Sequence, residues 1–269
     1  MFAALNTAGL TAASAEEVLA GAQRAGFAGV ELALSADGPV RYDDGPKRFA
    51  VLGAYARELG LRMVGLSGNH YRQAHFASRE AGQRAQALEL ARRMLANAAA
   101  CGAGSILLIP AFVGGATDIS ATASYADALN QTFEALSELR HDAERVGVAI
   151  VLENAWNRFL LSPVEAAELL DQVNSSCVGW CLDTGNVLAT GYPQDWIETL
   201  SGRILRVHLK DYDLTKPGRD GFCALGAGSV DWAAVRGALG NCGYDGPLTY
   251  EGGGDPGQVR AKIRELFEV

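Results

Sequence analysis

Val148-Ala149-Ile150-Val151-Leu152-Glu153 is an apolar run of strand length that closes on a carboxylate, and the chain repeats that form three more times. Val178-Gly179-Trp180-Cys181-Leu182 leads to Asp183, Ile204-Leu205-Arg206-Val207 to His208, and Pro247-Leu248-Thr249-Tyr250 to Glu251. The four closing residues stand 30, 25 and 43 positions apart, about the length of one strand, one helix and their loops. A buried strand ending on a metal-seeking side chain, four times in succession, describes a site at one end of a barrel.

The same rhythm runs through the rest of the chain. Phe2 to Asn6, Gly29 to Leu34, Leu61 to Leu66 and Ser105 to Ile109 read as strands. Ser14-Ala15-Glu16-Glu17 opens the first helix with a capping hydroxyl and two acids in the first turn. Further helices are predicted from about Pro46 to Leu59, Ser78 to Ala100 and Ala121 to Val146, and others open at Ser162-Pro163, Pro193, Asp231 and Asp255. Glycines 26, 60, 102, 147 and 243 precede strands, where each can close the helix before it in a left-handed turn. Eight strand-then-helix units without an interdomain linker predict an α/β fold, a parallel (β/α)8 TIM barrel with residues 1–269 as a single domain.

Composition agrees. At 269 residues and 49% hydrophobic the chain can bury a large core. A net charge of −8 supplies no broad basic field, so nucleic acid is not an expected partner. Five cysteines with no C-x-x-C pair read as reduced thiols. Met1 to Asn6 lacks the basic flank of a secretion signal, and no apolar run approaches a membrane span of about 20 residues, so a cytoplasmic location with no membrane partner is expected.

In such a barrel the working groups sit at the carboxyl ends of the strands, where Glu153, Asp183, His208 and Glu251 fall. Any one of these acids taken alone could simply cap the next helix, but four in consecutive strands point to a joint role. Three carboxylates and one imidazole suit a divalent ion such as Mn²⁺, Mg²⁺, Zn²⁺ or Co²⁺ and leave positions for substrate oxygens.

Glu153-Asn154, Leu182-Asp183-Thr184-Gly185-Asn186, Val207-His208-Leu209-Lys210-Asp211 and the stretch from Leu225 through Trp232 to Gly243-Tyr244-Asp245-Gly246 and Glu251 resemble the xylose isomerase-like TIM-barrel family of sugar phosphate isomerases and epimerases, the ketose 3-epimerases among them. The resemblance covers nearly the whole chain, and its specific part is the second half. It implies one divalent metal ion, Mn²⁺ foremost, held by Glu153, Asp183, His208 and Glu251, and a small-molecule sugar as substrate. Related barrels often form dimers or tetramers, so a homo-oligomer is expected by analogy.

The implied chemistry can be rebuilt from the residues. A metal on a carbonyl and its neighbouring hydroxyl stabilises an enediolate. Glu153 and Glu251, facing across it, then take and deliver a proton; delivery to the same carbon epimerises, and delivery to its neighbour interconverts aldose and ketose. An inosose-type dehydratase on the same barrel, a lyase, is the nearest alternative, and a non-catalytic sugar-binding protein is a third. Two departures from related patterns count against extra metals: Asn186 stands where the family often has histidine, and Asp220-Gly221-Phe222 lacks the imidazole that an endonuclease IV-like nuclease would place there.

Other residues join the expected site. His70, Asn186, Lys210 and Trp156 are predicted to bind substrate, Lys210 because strand alternation puts it on the same side as His208. Trp156 and Phe159 read either as an apolar wall over a sugar's C–H face or as core. Arg158 is a weak candidate for an anionic group. The glycine-rich stretch from Tyr212 to Gly228 reads either as a lid or as a mobile surface loop, and Gly226-Ala227-Gly228 could offer amides to a phosphate.

Overall fold

The computed structural model describes residues 1–10, 14–68, 74–115 and 123–269. Eight parallel strands close a barrel: β1 (Phe2–Asn6), β2 (Gly29–Leu34), β3 (Arg62–Gly68), β4 (Ser105–Leu108), β5 (Ala149–Glu153), β6 (Val178–Asp183), β7 (Ile204–Leu209) and, after a two-stranded hairpin β8 (Asp211–Tyr212) and β9 (Phe222–Cys223), β10 (Pro247–Tyr250). Helices α1 (Ala15–Arg24), α2 (Pro46–Glu58), α3 (Ala81–Cys101), α4 (Tyr125–Val146), α5 (Pro163–Val173), α6 (Pro193–Thr199), α7 (Trp232–Asn241) and α8 (Pro256–Phe267) alternate with them. The result is the single-domain (β/α)8 barrel that the alternation of elements predicts.

The helices start where their caps dictate. Ser14, Ser124, Ser162, Asp231 and Asp255 each accept the backbone N–H three residues on, which satisfies one of the donors that a helix start leaves open. Ser124 therefore begins α4 later than the predicted Ala121. The helix after β3 begins at Ala81, not Ser78, because the Ser78 hydroxyl bonds the Gln83 side chain and the Glu80 amide outside the helix. Strand β3 runs two residues past Leu66, which brings Ser67 into the barrel's polar interior.

Strand alternation divides the core in two. Leu5, Leu32, Leu66, Ile106, Ile150, Leu182, Val207 and Leu248 belong to the large layer that packs with the helices. Inside the barrel the apolar content is small: Leu107, Val151 and Cys181 cluster with Ile109. Many of the other inward positions are polar, with Asn6, Glu31, Ser67, Ser105, Arg206, His208 and Thr249 all buried. Among the described residues no helix is long and apolar enough to cross a membrane.

Candidate metal centre and sugar site

Each of the four residues is carried to one place by the end of its strand. Glu153 and Asp183 are the last residues of β5 and β6, His208 is the penultimate residue of β7, and Glu251 follows β10. Their ligating atoms all lie within 4.8 Å of one another. His208 Nδ1 is 2.9 Å from both Glu153 Oε1 and Glu251 Oε2. Lys210, next inward-facing after His208, places its ammonium 2.9 Å from Asp183 Oδ2 and 2.9 Å from Glu251 Oε2.

Backbone and side-chain contacts fix these groups. Asp183 Oδ1 accepts the amides of Gly185 and Asn186, while the buried Asp183 Oδ2 is paired with the Lys210 ammonium. Asn154 clamps the strand ends, accepting the Asp183 amide at 3.0 Å and donating to the Asp183 carbonyl at 2.9 Å. Thr184 donates to the Lys210 carbonyl and accepts its amide, which ties the top of β6 to the top of β7.

The electrostatics separate the two glutamates. Burial pushes the Glu153 carboxyl up to about 7, helped by the negative neighbours Glu251 and Asp183 and opposed by His208. Glu251 feels the same burial, but Lys210 and His208 outweigh it and hold its carboxyl well below the ordinary range. Burial likewise opposes charge on His208 and Lys210, and in each case facing carboxylates prevail: Glu31 and Glu153 for the imidazole, Asp183 and Glu251 for the ammonium. Cys181, buried beneath the cluster, is itself pushed up to about 12 by burial and is a neutral thiol at neutral pH.

The donors open into a cavity of about 1090 Å³ whose walls include Asn6, Ser67, Trp156, Asn186, Lys210, Arg219 and Phe222. Of the residues predicted to bind substrate, Asn186, Lys210 and Trp156 thus line the same space as Glu153, His208 and Glu251, and His70 lies outside the described residues. Trp156 donates its indole N–H to the Asn186 carbonyl and packs its ring 5.1 Å from Phe222 and 5.4 Å from Tyr212. Phe159 is core and not a wall: it is buried against Tyr125. Arg158 is not turned to the site either, since it is an exposed residue whose Nε donates to the Gly115 carbonyl.

The stretch after β7 is built and pinned, not loose. Asp211 accepts from the amides of Gly226, Gly228 and Val230 and from the Trp232 indole, so one buried carboxylate gathers the loop. A Cβ on Gly228 would lie 2.3 Å from Asp211 Oδ1, so the approach requires glycine. The amides of Gly226 and Gly228 are therefore spent on Asp211, which corrects the expectation that they serve a phosphate. Sequence reading also passed over Glu31 and Arg206, two fully buried charges in mid-strand; the signal was a lone charge within each apolar run, since such residues are seldom buried unless paired.

Residues 19–269 match the family described as the xylose isomerase-like TIM barrel. An uncharacterized protein of Methanocaldococcus jannaschii is 30% identical over 152 residues, 52% of this chain and 50% of that protein. A 3-oxo-isoapionate decarboxylase of Pectobacterium atrosepticum is 37% identical over 74 residues, 25% of this chain and 27% of that one. The chain thus matches half the length or less of these curated relatives. Among solved structures, D-psicose 3-epimerase in the presence of D-fructose aligns over 100% of both chains with a TM-score of 0.82 and 17% identity. L-ribulose 3-epimerase aligns over 99% of this chain and 94% of that one, with a TM-score of 0.82 and 21% identity. Identities this low show a shared fold.

Proposed function

The chain belongs to the xylose isomerase-like TIM-barrel family, and on that premise we propose that it is a divalent-metal-dependent sugar isomerase or epimerase acting on a ketose or related polyol ketone. The observation that carries the reading is the convergence of Glu153, Asp183, His208 and Glu251 within 4.8 Å, three of them lining one cavity. Those donors fit a divalent ion: three carboxylates and an imidazole nitrogen gathered within 4.8 Å, with Asp183 wholly buried. Mn²⁺ is the ion we favour. When bound, such an ion neutralises the negative charge that builds on the carbonyl and adjacent hydroxyl oxygens of a ketose.

The chain's own groups divide the proton work. Glu251, which shares His208 Nδ1 with Glu153 and pairs with Lys210, is assigned the removal of the carbon-bound proton. Glu153, the other carboxylate against His208 Nδ1, is assigned the delivery of a proton to the opposite face of the same carbon. Lys210 is placed to donate to a substrate oxygen, and the Trp156 and Phe222 rings offer an apolar surface to C–H groups. The 3-epimerase activities of the structural neighbours favour inversion at a carbon beside the carbonyl over aldose–ketose interconversion.

Incubation of the Mn²⁺-loaded protein in D₂O with ketohexoses, ketopentoses and inososes tests the proposal. Deuterium beside the carbonyl in recovered and epimerised sugar is expected. Loss of water from an inosose without epimerisation would move the assignment to a lyase, and no exchange with any of these compounds would overturn it. Glu153→Gln and Glu251→Gln should each lower turnover by about 10²- to 10⁴-fold, measured by the same exchange.

A further inference from the structure

Behind His208, on the side away from Glu153 and Glu251, lies a set of buried charges with no part in the proton transfer just described. His208 Nε2 is 3.1 Å from Glu31 Oε2, and Arg206 Nη1 donates to the same oxygen at 2.6 Å. Asn6 Nδ2 donates to the other oxygen, Glu31 Oε1, at 2.9 Å. Glu31 and Arg206 are wholly inaccessible, and the contact crosses the barrel interior from β7 to β2.

The barrel is shaped around this contact. A Cβ on Gly65 would lie 1.7 Å from Arg206 Nη2, so only glycine lets the guanidinium pass. The β2–β3 ladder slips so that Val64 has no partner, and the Val64 carbonyl accepts from Arg206 Nη2 at 3.1 Å. The β6–β7 ladder slips at Leu205, immediately before Arg206. Stability does not account for such an arrangement, because apolar residues of similar volume commonly serve a core as well as a buried ion pair or better. A carboxylate against Nε2 does have a chemical consequence: as the acceptor of an Nε2–H it fixes the plane of the ring and points Nδ1 at Glu153 and Glu251.

We propose that Glu31, braced by Arg206 and Asn6, is a positioning residue that fixes the orientation of the His208 ring through Nε2 and so presents Nδ1 to the divalent ion. The inference rests on the metal reading of the site given above.

Calorimetric titration with Mn²⁺ compares the wild type, Glu31→Gln and the paired variant Glu31→Met/Arg206→Met, which strands no charge; circular dichroism checks that each is folded. The expected result is one ion bound by the wild type and an affinity lower by about 10- to 100-fold in the paired variant. Glu31→Gln, whose amide oxygen can still accept from Nε2–H, should fall between the two. Imidazole ¹H–¹⁵N spectra of the Zn²⁺-loaded protein should show a hydrogen-bonded Nε2–H in the wild type that is lost in the paired variant. A packing role alone would shift the unfolding midpoint without ordering the affinities this way. Folded variants that bind Mn²⁺ within about twofold of the wild type would overturn the inference and leave the metal centre standing. A wild type that takes up no divalent ion would overturn the metal reading itself, and this role for Glu31 with it.

Discussion

Glu153 and Glu251 face the same nitrogen of His208 yet differ in surroundings, because Lys210 pairs with only one of them. Lys210 also stands within the metal cluster, so its charge opposes a divalent ion while compensating the carboxylates without one. Lys210→Met should therefore bind Mn²⁺ roughly tenfold more tightly or better while losing turnover, by calorimetry and sugar exchange; unchanged affinity would separate Lys210 from the metal. Glu31 gives a pH prediction. Burial raises its carboxyl, but Arg206 and His208 bring it from 4.5 down to about 2. A depressed carboxyl stabilises the fold above its unfolded value, and that contribution is lost as pH falls from 4.5 toward about 2. The stability gap between wild type and Glu31→Gln, read by urea unfolding, should narrow as pH falls from about 4.5 toward about 2.

At the level of elements, the hairpin β8–β9 and the turn into α7 depend on one carboxylate. Removing Asp211 leaves the amides of Gly226, Gly228 and Val230 and the Trp232 indole without their partner. Asp211→Ala should cost about 3 kcal/mol or more in urea unfolding and expose residues 212–228 to limited proteolysis. A midpoint equal to the wild type would show that the loop is held by its aromatic contacts alone. Those contacts join the hairpin to the loop after β5, as Phe222 and Tyr212 both meet Trp156. Sequence marks these loops as long and glycine-rich, but it cannot say that Asp211 spends the Gly226 and Gly228 amides, since that depends on where two turns meet in space.

For the molecule as a whole, a bound ion that the unfolded chain does not hold must stabilise the barrel. Mn²⁺ at a hundredfold excess over its Kd should add about 2.7 kcal/mol, which for a chain of this size raises Tm by roughly 5 to 10 °C in calorimetry; chelation should reverse the shift, and an unmoved Tm would count against a metal at this site. The barrel, its eight units and the gathering of Glu153, Asp183, His208 and Glu251 were legible in the chain itself. Strand length, apolar patterning and cap residues act over a few positions, and a parallel barrel sends every strand end to the same face. Glu31 and Arg206 were not legible as partners, although each is visible as a charge inside an apolar strand. They lie 175 residues apart, and only closure of the barrel, with slips in two ladders and a glycine at position 65, brings them together behind His208. Local chemistry thus determined the fold and the four strand-end side chains, while tertiary structure decided which buried charges stand behind them, because burial and partnership are set across the barrel and not along the chain.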